Sequence, residues 1–70
     1  MHRTTVASPG IEQLGYEEGS EILEIKFTSG TIYKFYNIPL KLYDQLTSSP
    51  RKELFYETHI LVRFPYKRIE

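Results

Sequence analysis

The stretch Leu23-Glu24-Ile25-Lys26-Phe27-Thr28-Ser29-Gly30-Thr31-Ile32-Tyr33-Lys34-Phe35 decides how this chain folds. Its first half alternates with period two. Leu23, Ile25 and Phe27 share one face, while Glu24 and Lys26, with Ile22 before them, share the other. A Ser29-Gly30 loop of two residues would set Ile25 opposite Lys34 and Glu24 opposite Phe35, mixing buried and exposed partners. A three-residue Thr28-Ser29-Gly30 loop avoids this, with Gly30 taking the left-handed conformation of a G1 bulge. It pairs Phe27 with Thr31, Ile25 with Tyr33 and Leu23 with Phe35, so the apolar face stays apolar. On the second face it sets Glu24 opposite Lys34 and Ile22 opposite Tyr36, each pair contributing about 0.2–1 kcal/mol. A slip of one residue would turn a whole strand over, so this register is the one expected.

Outward from the hairpin, Val6-Ala7-Ser8-Pro9-Gly10 reads as a turn. Ile11, Leu14 and Tyr16 then suggest a short edge strand over 11–16, with Gly15 marking a bulge or kink. Glu17-Glu18-Gly19-Ser20 is the turn into the hairpin. Beyond it, Pro39 suits the first turn of a helix, and Leu42, Tyr43 and Leu46 recur at helical spacing through about Thr47. Ser48 and Ser49 are good N-caps and Pro50 a good first residue for a second helix, whose inner stripe would be Leu54, Phe55, Thr58 and Leu61. Ile60-Leu61-Val62-Arg63-Phe64 is rich enough in β-formers to be a strand as well. A helix ending near Ile60 and an extended tail is the reading adopted. The expected architecture over residues 1–70 is one α+β domain: a small antiparallel sheet of about three strands, then one or two helices packed on one face.

Composition narrows the function. No cysteine is present, which excludes disulfides, thiolate zinc sites and thiol nucleophiles together. At seventy residues the core must come from packing, and six Tyr and four Phe supply most of its volume. Met1-His2-Arg3-Thr4-Thr5 lacks an apolar leader, and no run approaches the ~20 apolar residues of a membrane span, so a cytoplasmic protein is expected. His2, in a tail expected to be mobile, and His59 are the only neutral-pH bases, and His59 has no sequence partner resembling a triad. Two distant histidines give no metal-ligand spacing, and Gly10, Gly15, Gly19 and Gly30 form no phosphate loop. The expectation is therefore a chain that is not an enzyme and needs no cofactor or metal.

What remains is binding. Charge is zero overall but uneven: Glu12, Glu17, Glu18, Glu21 and Glu24 fall before Lys26, and most bases fall after it. Either the fold separates these halves onto different surfaces or it scatters them over a solvated one. Strand alternation points Tyr33 and Phe35 toward the helices and leaves Lys34 and Tyr36 on the other face. The tail Arg63-Phe64-Pro65-Tyr66-Lys67-Arg68 interleaves cations with aromatics, a combination that can neutralise phosphates and stack on bases. Arg51 and Lys52 would join it if the chain folds back. The candidate RNA or single-stranded nucleic-acid surface is thus Lys34, Tyr36, Arg51, Lys52, Arg63, Tyr66, Lys67 and Arg68. The alternative is a protein-interaction module, with Ile22, Ile32 and Tyr36 as an exposed apolar patch for a partner or a homodimer.

The order of motifs also resembles a known family. Arg3-Thr4-Thr5-Val6 with Ser8, Ile11-Glu12-Gln13-Leu14-Gly15-Tyr16-Glu17, Leu23 to Phe27, Gly30 before Tyr33-Lys34-Phe35, Ile38-Pro39, and His59-Ile60 ahead of Phe64 to Ile69 are similar to the KTSC domain. The resemblance implies a small domain named for the C-terminus of some lysyl-tRNA synthetases, also found alone in bacteria or phages, with RNA binding suggested by that association. It singles out Gly15, Tyr16, Gly30, Tyr33, Phe35 and Pro39 as its structural positions. Phe35 stands where the family's central Tyr-x-Tyr motif has its second tyrosine, Glu53 and Glu57 replace an expected glycine and asparagine, and Leu61-Val62 replaces a more polar pair.

Overall fold

The computed structural model describes residues 3–70, less the side chains of Arg3 and Ala7; Met1 and the expectation placed on His2 lie outside the described residues. Five strands and two helices follow in the order β1 (Arg3–Ser8), β2 (Ile11–Glu17), β3 (Ile22–Phe27), β4 (Ile32–Phe35), α1 (Leu40–Ser48), α2 (Lys52–His59) and β5 (Tyr66–Arg68). The sheet order is β1-β2-β3-β4-β5, with every neighbouring pair antiparallel. The α+β class stands, but about three strands is an undercount.

The hairpin register is the one the alternation selected. Leu23 faces Phe35, Glu24 faces Lys34 and Ile25 faces Tyr33. The Phe27 N–H donates to the Thr31 carbonyl at 2.9 Å and the Gly30 N–H to the Phe27 carbonyl at 2.9 Å, closing the three-residue loop. Gly30 has φ +95°, where a Cβ would be strained. Its burial consequence is direct: Leu23, Ile25 and Phe35 are each 0% exposed and belong to one core with Ile11, Leu14 and Ile38.

Two expectations about the outer elements are corrected, and the expected extended tail gains a strand partner. Residues 6–8 belong to β1 rather than to a turn, so β2 is an interior strand and not an edge. Gly15 is no bulge, since it pairs in register with Arg3 and Glu24; the irregularities fall between Thr5 and Ser8 and between Ile11 and Gln13. The tail becomes β5, antiparallel to β4 through Tyr33–Arg68, Lys34–Lys67 and Phe35–Tyr66.

Both helices lie over the Leu23–Phe35 face, contributing Leu46, Tyr56 and Ile60 to the core. Pro39 is the N-cap of α1, its carbonyl accepting from the N–H groups of Leu42 and Tyr43. Asn37 makes the corner before it with φ 65°, a conformation asparagine tolerates. The Tyr16 hydroxyl fastens this joint from below, donating to the buried Ile38 carbonyl at 2.6 Å while its ring stacks on Tyr43 with centroids 4.5 Å apart.

The second helix differs from expectation at its start and in its phase. Ser48 ends α1, and Ser49 accepts from the Arg51 N–H instead of capping a helix beginning at Pro50. Pro50 holds Ser49 extended at ψ 136°, so α2 begins only at Lys52 with Arg51 as N-cap. The buried stripe is consequently Tyr56 and Ile60. Leu54 is 53% exposed and Thr58 is also exposed, while Phe55 and Leu61 pack only at the margin of the core. A tyrosine that pattern reading counts as amphipathic is the residue the helix buries.

Phe35→Ala removes a fully buried ring and should cost about 3–5 kcal/mol. That is comparable to all the stability a single core of this size supplies, so circular dichroism should find the variant largely unfolded. Tyr16→Phe leaves the Ile38 carbonyl without its donor; denaturant titration should show a loss of about 1–3 kcal/mol with the native spectrum retained.

Candidate functional site

The eight candidate residues do not form one surface. On the face without helices, Lys34 and Lys67 are direct cross-strand partners, and Tyr36 continues the alternation of β4 beside them. The Tyr36 N–H donates to the Pro65 carbonyl at 3.0 Å, tying the end of β4 to the start of β5. Among the described side chains Lys26 also lies on this face but is engaged, its Nζ 3.2 Å from the Glu12 carboxylate.

Tyr66 lies on the opposite face. Its ring centroid is 5.2 Å from both Tyr33 and Phe35, so it pins β5 to the helix-covered side instead of presenting a stacking platform. Arg68 shares that side by alternation, and its Nε donates to the Glu70 carbonyl at 3.1 Å. Arg63 is exposed in the turn after α2. Arg51 and Lys52 sit at the start of α2 against Ser8 and Pro9, the β1–β2 turn, whereas β5 forms the far edge of the sheet. The chain does not fold back to join them to the tail, and Lys52 Nζ is held by the Ser49 carbonyl at 3.1 Å.

The apolar patch expected on the open face is also corrected. Ile32 is only 4% exposed, because the chain beyond β5 runs alongside it: the Ile32 N–H donates to the Glu70 carbonyl at 3.0 Å and the Ile69 N–H to the Ile32 carbonyl at 2.9 Å. Ile22 and Tyr36 are half-buried. Nor are the acidic and basic halves of the chain segregated. Antiparallel pairing interleaves them, setting Glu12 against Lys26 and Glu24 against Lys34.

Sequence reading missed a cleft on the helix side. Between α2 and the tip of the β3–β4 hairpin is a space of about 360 Å³ with Phe27, Tyr33 and Tyr56 as aromatic walls and Glu53 and Glu57 at its mouth. Phe27 meets Tyr33 at 5.5 Å and Tyr56 at 5.4 Å, so the three rings are a continuous lining. Burial holds the Tyr56 phenol well above its ordinary pKa, with smaller contributions from Tyr33, Tyr66 and Glu57. The available signal was the run Glu53-Leu54-Phe55-Tyr56-Glu57, a tyrosine between glutamates one helical turn apart.

Among the described residues no group of histidine and carboxylate side chains could hold a metal, and no helix is long and apolar enough to cross a membrane. With the geometry established, the family is decided by a match of the KTSC domain model to residues 7–64. The chain belongs to the KTSC family. A KTSC domain protein of Yersinia pestis has the same fold in its crystal structure, with a TM-score of 0.94, 26% identity and coverage of 99% of this chain and 97% of that one. A protein of Tsukamurella paurometabola is 32% identical over 59 residues, covering 84% of this chain and 88% of its own length. Lysine–tRNA ligases of Trichormus variabilis and a Nostoc species are 27% and 29% identical over 59 residues, and the chain spans only 10% of their length.

The raised Tyr56 pKa fixes the sign of an alkaline effect. The folded domain keeps the phenol proton that the unfolded chain gives up near its ordinary pKa of about 10. The stabilisation is therefore complete below that pH and is lost as pH rises from there through the folded-state pKa. Denaturant midpoints measured across this alkaline range should fall less steeply in Tyr56→Phe than in the parent chain.

Proposed function

We propose that this KTSC domain is a non-catalytic module that binds single-stranded RNA through the open sheet face, with Lys34 and Lys67 as its phosphate anchor and Tyr36 beside them. The observation that carries this reading is the cross-strand pairing of two lysines. Like charges set directly opposite destabilise a sheet, and a bound phosphate relieves that repulsion. Glu24 stands opposite Lys34 on its other side, in the same row. The relatives named lysine–tRNA ligase add support, since their named substrate is an RNA. A non-catalytic role is consistent with the surroundings of His59, whose ring lies 4.6 Å from Phe55 in an exposed position at the end of α2.

With Tyr33, Phe35 and Tyr66 committed to the helix side, base stacking on the open face is limited to Tyr36, and phosphate contacts dominate. Fluorescence anisotropy with a short single-stranded RNA at low salt is expected to give binding that weakens linearly with the logarithm of salt. Lys34→Ala and Lys67→Ala should each reduce that slope by about 0.7. Arg51→Ala, remote from the pair, should leave it unchanged. Absence of binding at low salt, or a slope as sensitive to Arg51 as to Lys67, overturns the proposal.

A further inference from the structure

The aromatic cleft on the helix side is unrelated to the lysine pair and has the opposite electrostatic character. Its walls are the rings of Phe27, Tyr33 and Tyr56. Aromatic faces attract cations, and the attraction grows when the cation is partly desolvated. Glu53 and Glu57 stand one helical turn apart at the mouth, an arrangement that costs a few tenths of a kcal/mol in an isolated helix. Among the described residues neither carboxylate has a basic partner. The Glu53 carboxylate is packed against Gly10, where a methyl group would overlap it; its position is set by the β1–β2 turn.

A second observation concerns the floor. Tyr56 is only 4% exposed, yet its hydroxyl makes no hydrogen bond to a described residue and is not sealed from the cleft it lines. Because it opens onto the cleft, this hydroxyl offers an acceptor lone pair to a donor that displaces the solvent there. A donor-rich cation that entered between the rings would meet this oxygen at the bottom and the two carboxylates at the rim.

The shape selects how that cation is delivered. The cleft's mouth is open, since Glu53 and Glu57 are both exposed, and a free small amine would not bury most of its surface there. The lining also includes Leu61, Ser29 and Thr31, so the rim offers apolar and hydroxyl groups beside the charges. A polypeptide can lay its backbone and neighbouring side chains along that rim while one long side chain enters. We propose that the cleft between α2 and the β3–β4 hairpin receives a lysine side chain of a basic segment on a partner protein, its ammonium held between the aromatic walls, the Tyr56 hydroxyl and the Glu53 and Glu57 carboxylates.

The probe is a short lysine–glycine peptide blocked at both ends, titrated into the isotopically labelled domain and followed by NMR. Ring and backbone signals of Phe27, Tyr33 and Tyr56 are expected to shift, and the Glu53→Gln/Glu57→Gln double variant should bind about tenfold more weakly. Both glutamates are exposed, so the variant should keep the parent circular dichroism spectrum. The peptide with norleucine in place of lysine should not bind, and cadaverine alone should bind more weakly than the peptide. The proposal is overturned if the shifts fall on Glu12, Glu17 and Glu18 instead, if the double variant binds equally well, if the norleucine peptide matches the lysine peptide, or if cadaverine does. Lys34→Ala and Lys67→Ala should leave peptide binding intact, so failure here and failure of RNA binding are separate results.

Discussion

The Phe35 ring is where the structure is tied together. It is wholly buried on β4, 5.5 Å from Tyr56 of α2 and 5.2 Å from Tyr66 of β5. Those partners lie some twenty to thirty residues further along the chain and have little intrinsic reason to adopt their conformations. A helix of eight residues is marginal alone, and a strand of three is more so. Both are held by what they pack against. Phe35 is available to them only because the loop closed by Gly30 points it inward along with Leu23, which makes a backbone preference at one glycine the condition for the last third of the fold.

The same alternation gives the two faces their different chemistry. Inward positions of β3 and β4 are apolar or aromatic and meet the helices, leaving at the hairpin tip a cleft the helices only partly cover. Outward positions carry Glu24, Lys26 and Lys34, with Lys67 added by β5. A chain with no net charge thus presents a carboxylate-rimmed aromatic cleft on one side and a lysine pair on the other. The sum of charges hides this, because the carboxylate rim comes from the phase of α2 and the lysine pair from strand parity.

What was legible in the sequence followed from strict periodicity. Leu23 to Phe35 alternates cleanly around one glycine, and only one register satisfies both faces. The misread elements lack such a signal. In Arg3–Ser8 the sole large apolar residue is Val6, so β1 forms by pairing with β2 rather than by its own pattern. Tyr66–Arg68 was legible as an extended tail, but its pairing with β4 rests on the rings of Tyr33 and Phe35, a tertiary event. The candidate RNA surface inherited these errors: counting cations in the tail could not tell that strand geometry turns Lys67 toward Lys34 and Arg68 away from it.

Phe35 also bears on how the central motif works in this family member. The resemblance to other KTSC domains sets a tyrosine where this chain has phenylalanine, which would put any chemistry requiring that hydroxyl in question. The ring is 0% exposed and surrounded by Tyr33, Tyr56 and Tyr66, so a hydroxyl there would need a hydrogen-bond partner inside an aromatic cluster. Replacing it with hydrogen removes that requirement and keeps the packing. Tyr33, the first aromatic of the motif, is half-buried and borders the cleft. The two positions therefore divide the work: Phe35 assembles the domain, and Tyr33 is the member of the pair that a ligand can reach.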